Sequence, residues 1–126
     1  KKIKMLIEGL YKVNKITHND SEIQAQISLN PTHDIFKGHF PGNPIMPGVC
    51  MMQVIKELTE GVLKLELFLQ TSTNIKFMAK INPELNPDLV LKIDFTEEDG
   101  IIKLKNNTFF GETLALKLNA KYKIVL

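Results

Sequence analysis

A histidine stands in the part of the chain that is richest in glycine and proline. The segment 38–53 contains His39 together with three of the seven glycines and three of the six prolines. Proline fixes φ and glycine permits conformations that other residues resist, so this composition predicts a loop held in one shape. An imidazole changes its charge near neutral pH. His39 is therefore a candidate base in a rigid loop.

A buried helix is predicted directly after this loop. Apolar residues recur at helical spacing over 49–63, Pro47 suits the first helical turn, and Gly61 is a plausible end signal. Gly48 then lies at the helix N-terminus, where backbone N–H groups are unpaired and the helix dipole is positive. A carbonyl oxygen that gains negative charge is stabilised at such a place. With His39 beside it, the site has the two groups needed to remove a proton α to a carbonyl: a base and a donor that stabilises the oxygen.

The rest of the chain alternates between apolar and polar residues with the period of β-strands. Asp99 and Gly100 favour a tight hairpin, because both tolerate positive φ. A single buried helix among antiparallel strands predicts an α+β fold, in which a sheet of five to six strands wraps one central helix. We expect one domain over residues 1–126. The predicted strands cover 11–17, 22–30, 67–77, 89–96, 101–109 and 114–126.

Composition excludes several classes of protein. The net charge of +2 is too small for a dedicated nucleic-acid binder. No apolar run approaches the ~20 residues that cross a bilayer, and we expect neither a membrane span nor a secretory leader. One cysteine and three scattered histidines show no metal-ligand spacing, so no metal or cofactor is expected. Cys50 suits a cytoplasmic protein and, on the apolar helix, is expected to be a small buried hydrophobe rather than a nucleophile.

The loop and the start of the helix resemble the signature of the 3-hydroxyacyl-(acyl-carrier-protein) dehydratases of bacterial fatty-acid synthesis. The match runs residue for residue over eleven positions, HFPGNPIMPGV at 39–49. A looser similarity covers most of the chain, including a strand pair before the loop, the segment 76–83 and a final hairpin. The resemblance implies the hotdog fold, a homodimer or higher oligomer with active sites at the dimer interface, and acyl carrier protein as partner.

The same resemblance implies roles for individual residues. His39 corresponds to the family's catalytic histidine, and the backbone N–H of Gly48 polarises the thioester carbonyl. Phe40 and Val49 are expected to contact the substrate. The family's catalytic carboxylate is a glutamate fourteen residues after the histidine, and here that position is Gln53.

Gln53 and Glu57 look like an exchanged pair, because the family commonly has glutamine where this chain has Glu57. A glutamine amide can orient a hydroxyl but cannot deliver a proton as a carboxylic acid does. Glu57 follows one helical turn later, about 6 Å away, and either acts through a water or holds the Gln53 amide. The alternative is that these residues have no catalytic role and belong to a solvated polar stripe on the helix. That stripe would contain Gln53, Lys56, Glu57 and Glu60. Both residues are nevertheless our candidates for the catalytic site.

The resemblance implies a lyase of fatty-acid and lipid metabolism that converts 3-hydroxyacyl thioesters on acyl carrier protein to trans-2-enoyl thioesters. Two other functions stay open. The hotdog fold also hosts thioesterases, and the exchange at Gln53 is compatible with a catalytically weak subunit that binds the carrier protein. The basic N-terminal region would suit an acidic carrier protein or would simply be a solvated surface; its lysines are Lys1, Lys2, Lys4, Lys12 and Lys15.

Overall fold

A computed structural model of the chain describes residues 7–37 and 44–125. A short 3-10 helix, Asp34–Phe36, ends three residues before His39 in the chain. The main elements in chain order are β1 (Tyr11–His18), β2 (Glu22–Leu29), α1 (Gly48–Leu63), β3 (Glu66–Phe77), β4 (Asp88–Glu98), β5 (Ile101–Phe110) and β6 (Thr113–Val125).

The six strands form one sheet in the order β1-β2-β4-β5-β6-β3. All five neighbouring pairs are antiparallel. The predicted hairpin joins β4 to β5, where Glu98 pairs with Ile101 and the two residues between them have positive φ, 54° for Asp99 and 77° for Gly100. The predicted α+β hotdog architecture is confirmed, and β1 and β3 are left at its two edges.

One face of the sheet packs on α1. The alternation predicted for β2 is seen in its inward residues, which are all nearly inaccessible: Ile23, Ala25, Ile27 and Leu29. They share one apolar core with the helix residues Met51, Val54, Ile55 and Leu58. Of the sixteen residues of α1, only Val49 is exposed. No helix within residues 7–37 and 44–125 has the length and apolar character needed to span a bilayer.

The two ends of α1 differ slightly from the sequence prediction. Pro47 lies just before the helix with ψ 145°, so it is the N-cap residue rather than a residue of the first turn. The helix ends at Leu63, as the apolar spacing over 49–63 predicts, but Gly61 is not its end signal, because the helix stops where Lys64 adopts the left-handed conformation. The Lys64 N–H then donates to the Glu60 carbonyl at 2.8 Å.

The left-handed Lys64 gives a first prediction. A side chain costs about 1–2 kcal/mol in this conformation, and glycine avoids that cost at a helix C-terminus. We expect Lys64→Gly to raise the free energy of unfolding by about 0.5–1 kcal/mol, since glycine also loses more backbone entropy on folding. Denaturant unfolding measures the change. Lys64→Ala is the control: it removes the charge but keeps the strain, and an equal gain there would contradict the explanation.

Candidate active site

The candidate site begins at the N-terminus of α1. Gly48 is the first helical residue, as predicted, and no side chain caps this end among the described residues. The first turn also carries no acidic residue that would neutralise the helix dipole. Cys50 and Met51 N–H groups reach back to the Pro47 carbonyl at 3.1 and 3.2 Å. The N–H groups of Gly48 and Val49, which come before them, are therefore the donors that this helix end can offer, with its positive potential, to an oxygen atom.

An aromatic ring lies close against Gly48, so a larger residue there would have to push the ring aside. A Cβ built on Gly48 would stand 3.2 Å from Cε2 of Phe77, closer than almost all real contacts of that kind. Phe77 is the last residue of the edge strand β3, and its side chain is 41% exposed. Val49 follows Gly48 and is 74% exposed. The helix N-terminus thus lies next to accessible apolar surface, which is suited to an acyl chain.

The exchanged pair on α1 forms a direct hydrogen bond. The Gln53 amide Nε2 donates to Glu57 Oε2 at 2.9 Å. The hydroxyl of Tyr11, from the start of β1, donates to Glu57 Oε1 at 2.9 Å. Glu57 is 4% exposed and Gln53 is half-buried. Both oxygens of the Glu57 carboxylate therefore accept hydrogen bonds, one from the helix and one from the sheet.

Tyr11 is a strong and permanent donor in this arrangement. Burial, together with the charge of Glu57 and the hydrogen bond to it, raises the pKa of Tyr11 far above its usual value. The phenol consequently stays protonated at any pH at which the protein would be assayed. From the sequence, Tyr11 is only the start of a predicted strand. The signal that could have identified it is that a buried tyrosine usually requires a partner for its hydroxyl.

The solvated-stripe alternative is wrong for Glu57, which is buried, and the other charged members of the stripe are also partly covered. Lys56 Nζ lies 3.3 Å from Glu60 Oε2, with the two side chains 26% and 22% exposed. The same Glu60 oxygen accepts the Leu67 N–H at 2.9 Å. Burial and the charge of Glu60 raise the pKa of Tyr122 to about 12. Lys56 and Glu60 thus connect the helix to the start of β3.

The remaining candidates differ in what the structure says about them. His39 and Phe40 lie outside the described residues, so their placement beside Gln53 stays a prediction. Cys50 is 4% exposed, and burial raises the pKa of its thiol, which disfavours the nucleophilic thiolate. In the described part of the chain, no group of three or more His, Cys, Asp or Glu side chains is placed to hold a metal ion.

Comparison with known proteins identifies the family of the chain. The model of the ApeI-like family, described as ApeI dehydratase, matches residues 15–113. The 3-hydroxyacyl-[acyl-carrier-protein] dehydratase FabZ of Rhizorhabdus wittichii is 29% identical in an alignment of length 111 that covers 79% of this chain and 69% of the relative.

Solved structures show the same fold at lower identity. The dehydratase heterocomplex ApeI:P from Xenorhabdus doucetiae superposes with a TM-score of 0.71 at 24% identity, covering 91% of this chain and 97% of that one. A thioesterase from Haemophilus influenzae gives a TM-score of 0.64 at 12% identity, covering 94% and 81%. Since the family match spans most of the chain, this protein belongs to the ApeI-like dehydratase family.

Proposed function

We propose that this protein is a cytoplasmic dehydratase that converts 3-hydroxyacyl thioesters on acyl carrier protein to trans-2-enoyl thioesters. One structural observation carries the proposal. The α-helix begins at Gly48, the residue to which the dehydratase signature assigns the backbone donor for the thioester carbonyl. Membership of the ApeI-like family supports the same reaction class.

The proposed reaction is an elimination of water. His39 removes the proton from C2, and the N–H of Gly48 stabilises the negative charge that develops on the thioester oxygen. The electrons of the C2–H bond form the C2=C3 double bond while the C3–O bond breaks. Gln53 carries no acidic proton, so we assign the proton needed by the leaving hydroxyl to His39, which has just taken one from C2.

Glu57 is assigned the task of holding Gln53. Its two oxygens accept from the Gln53 amide and from the Tyr11 hydroxyl, which favours this role over proton delivery through a water. Only the amide nitrogen can donate to a carboxylate, so the bond also fixes which end of the Gln53 amide faces Glu57. The amide oxygen is then turned elsewhere and can accept a hydrogen bond from the 3-hydroxyl of the substrate.

A direct assay separates the candidate functions. The protein is incubated with a 3-hydroxyacyl thioester on acyl carrier protein, and the products are separated by mass spectrometry. An enoyl thioester supports the dehydratase, whereas free acid would instead make the protein a thioesterase. Binding of the carrier protein with neither product would favour the second candidate function.

That second candidate is a weakly catalytic subunit that pairs with an active partner. The observation in its favour is Gln53 at the position of the family's catalytic acid. The related structure from Xenorhabdus doucetiae is itself described as a heterocomplex. Adding a second hotdog subunit should restore turnover if this role is correct, whereas the purified protein alone suffices for the dehydratase.

Self-association is expected from the edge strand β3. Several apolar side chains on or beside this strand are well exposed: Phe68, Ile75, Phe77 and Met78. An open edge with exposed apolar residues is a surface that proteins normally cover. We predict a homodimer or higher oligomer at micromolar concentration, measured by sedimentation velocity. A monomer at that concentration would contradict both the pairing through β3 and an active site shared across a dimer interface.

A further inference from the structure

The hydrogen bond from Tyr11 to Glu57 connects the candidate site to a part of the chain outside the signature. Tyr11 precedes Glu57 by 46 residues, and the two side chains meet in the core with Tyr11 4% exposed. The bond is 2.9 Å long and ends on the same carboxylate that holds the Gln53 amide. These contacts make one continuous path from β1, through Glu57, to Gln53.

The sheet fixes the position of the Tyr11 hydroxyl. Tyr11 pairs with Leu29 at the first register position of β1 and β2. Its neighbour Leu10 accepts the N–H of Asn30 at 2.8 Å. Because these backbone bonds belong to the sheet, the position of the Tyr11 hydroxyl is fixed independently of the side chains of α1. The bond from Tyr11 is a contact from the sheet that holds the Glu57 carboxylate in its orientation.

We propose that Tyr11 is a positioning residue for Gln53, and that it acts through the carboxylate of Glu57. Tyr11 fixes Glu57 Oε1, the other oxygen of Glu57 fixes the Gln53 amide, and the Gln53 carbonyl oxygen is thereby aimed at the substrate's 3-hydroxyl. Tyr11 itself touches no reacting atom. This role in catalysis rests on the proposed dehydratase function, but the positioning of the amide can be measured without turnover.

The kinetic test uses Tyr11→Phe, which removes only the hydroxyl. A misplaced catalytic group can cost up to about 100-fold, and for a partly loosened amide we expect kcat to fall about 10-fold with little change in KM. If Tyr11 acts through Glu57, then Tyr11→Phe should cost no further activity in a Glu57→Gln background. Tyr122→Phe is the matched control, because it removes another buried hydroxyl with a raised pKa, near Glu60. It should leave kcat unchanged.

The second test reads the amide directly. The chain has four glutamines, so the side-chain NH2 signals of 15N-glutamine-labelled protein are few, and Gln53→Met identifies the one from Gln53. We expect Tyr11→Phe to shift that signal and to speed its hydrogen exchange, while Tyr122→Phe leaves it unchanged. This readout works even if the protein has no dehydratase activity.

The outcomes separate the two proposals. A shifted Gln53 signal in an inactive wild-type protein would support the positioning and refute the dehydratase function. An unchanged Gln53 signal in folded Tyr11→Phe would overturn the positioning, whatever the activity of the wild type. Additive losses from Tyr11→Phe and Glu57→Gln would equally overturn the path through Glu57.

Discussion

His39→Ala is expected to lower kcat for dehydration by roughly 10⁴-fold, the upper end of the range for a general base. We expect the upper end because the proposed reaction uses His39 twice, first as the base at C2 and then as the acid for the leaving hydroxyl. Single-turnover assays with a 3-hydroxyacyl thioester measure the loss. Substrate binding should change little, because in the proposed reaction His39 acts on the C2 proton and the leaving hydroxyl and does not hold the acyl chain.

The control for this variant is His18→Ala, which removes an exposed histidine at the end of β1. It should retain wild-type turnover, and both variants should unfold at nearly the wild-type temperature. A well-folded His39→Ala protein with near wild-type dehydration would refute the assignment of His39. It would also remove the source of the proton that the leaving hydroxyl needs.

Gln53→Glu is expected to raise dehydration about 10-fold or more, because it returns a carboxylic acid to the position where the family has one. The structure adds a reason to expect a proton there. The new carboxyl would replace an amide whose nitrogen lies 2.9 Å from Glu57 Oε2. Two carboxylates at that distance cannot both be ionised at low cost, so the pair retains a proton and its pKa is raised.

The same variant should show a new dependence of stability on pH. A pair that keeps its proton when folded, with a pKa above that of an unfolded glutamate, loses stability as the pH rises through the raised pKa. The melting temperature of Gln53→Glu should therefore fall between about pH 5 and pH 8, a range set by the usual size of such shifts. The wild-type protein, in which an amide donates to Glu57, should show no such fall.

The double variant Gln53→Glu, Glu57→Gln tests the gain in activity without the repulsion between two neighbouring carboxylates. It places the glutamate and the glutamine in the family's order, and it removes one of the two facing carboxyl groups. We expect it to keep the gain in turnover and to lose the pH-dependent instability. If the wild type is inactive and both variants are inactive too, the exchange of Gln53 and Glu57 is not the cause of the inactivity. A binding subunit then becomes the better explanation.

Much of the fold could be predicted because strand and helix periodicity record which side of each element faces the core. The alternation at Ile23, Ala25 and Ile27 is a local property of the sequence, and the structure repeats it. The position of β3 beside β6 is not local, since it depends on how the chain crosses the sheet after α1. Nothing in the pattern of either strand identifies the other as its partner.

The candidate site likewise contains contacts that follow from local sequence spacing and contacts that depend on packing. The spacing of Gln53 and Glu57 places them one turn apart on α1, and their hydrogen bond follows from that spacing. The Tyr11 hydroxyl reaches Glu57 across the core, and only the packing of β1 against α1 brings them together. Val49 shows a limit of periodicity: it belongs to the apolar spacing over 49–63, yet it is exposed at the first turn. Periodicity describes a helix face, but it does not say where the sheet stops covering that face.

The ring of Phe77 lies against Gly48, so association through β3 would reach the backbone of the candidate site. Phe77 ends the edge strand through which we expect the protein to associate, and Gly48 is the proposed donor to the thioester oxygen. A partner that packs on β3 would restrict the Phe77 ring, and with it the space beside the Gly48 backbone. If association strengthens the binding of a ligand at Gly48 in this way, thermodynamic linkage requires that the ligand strengthen association by the same factor. The specific activity of each protomer would consequently depend on protein concentration, and substrate would favour the assembled form.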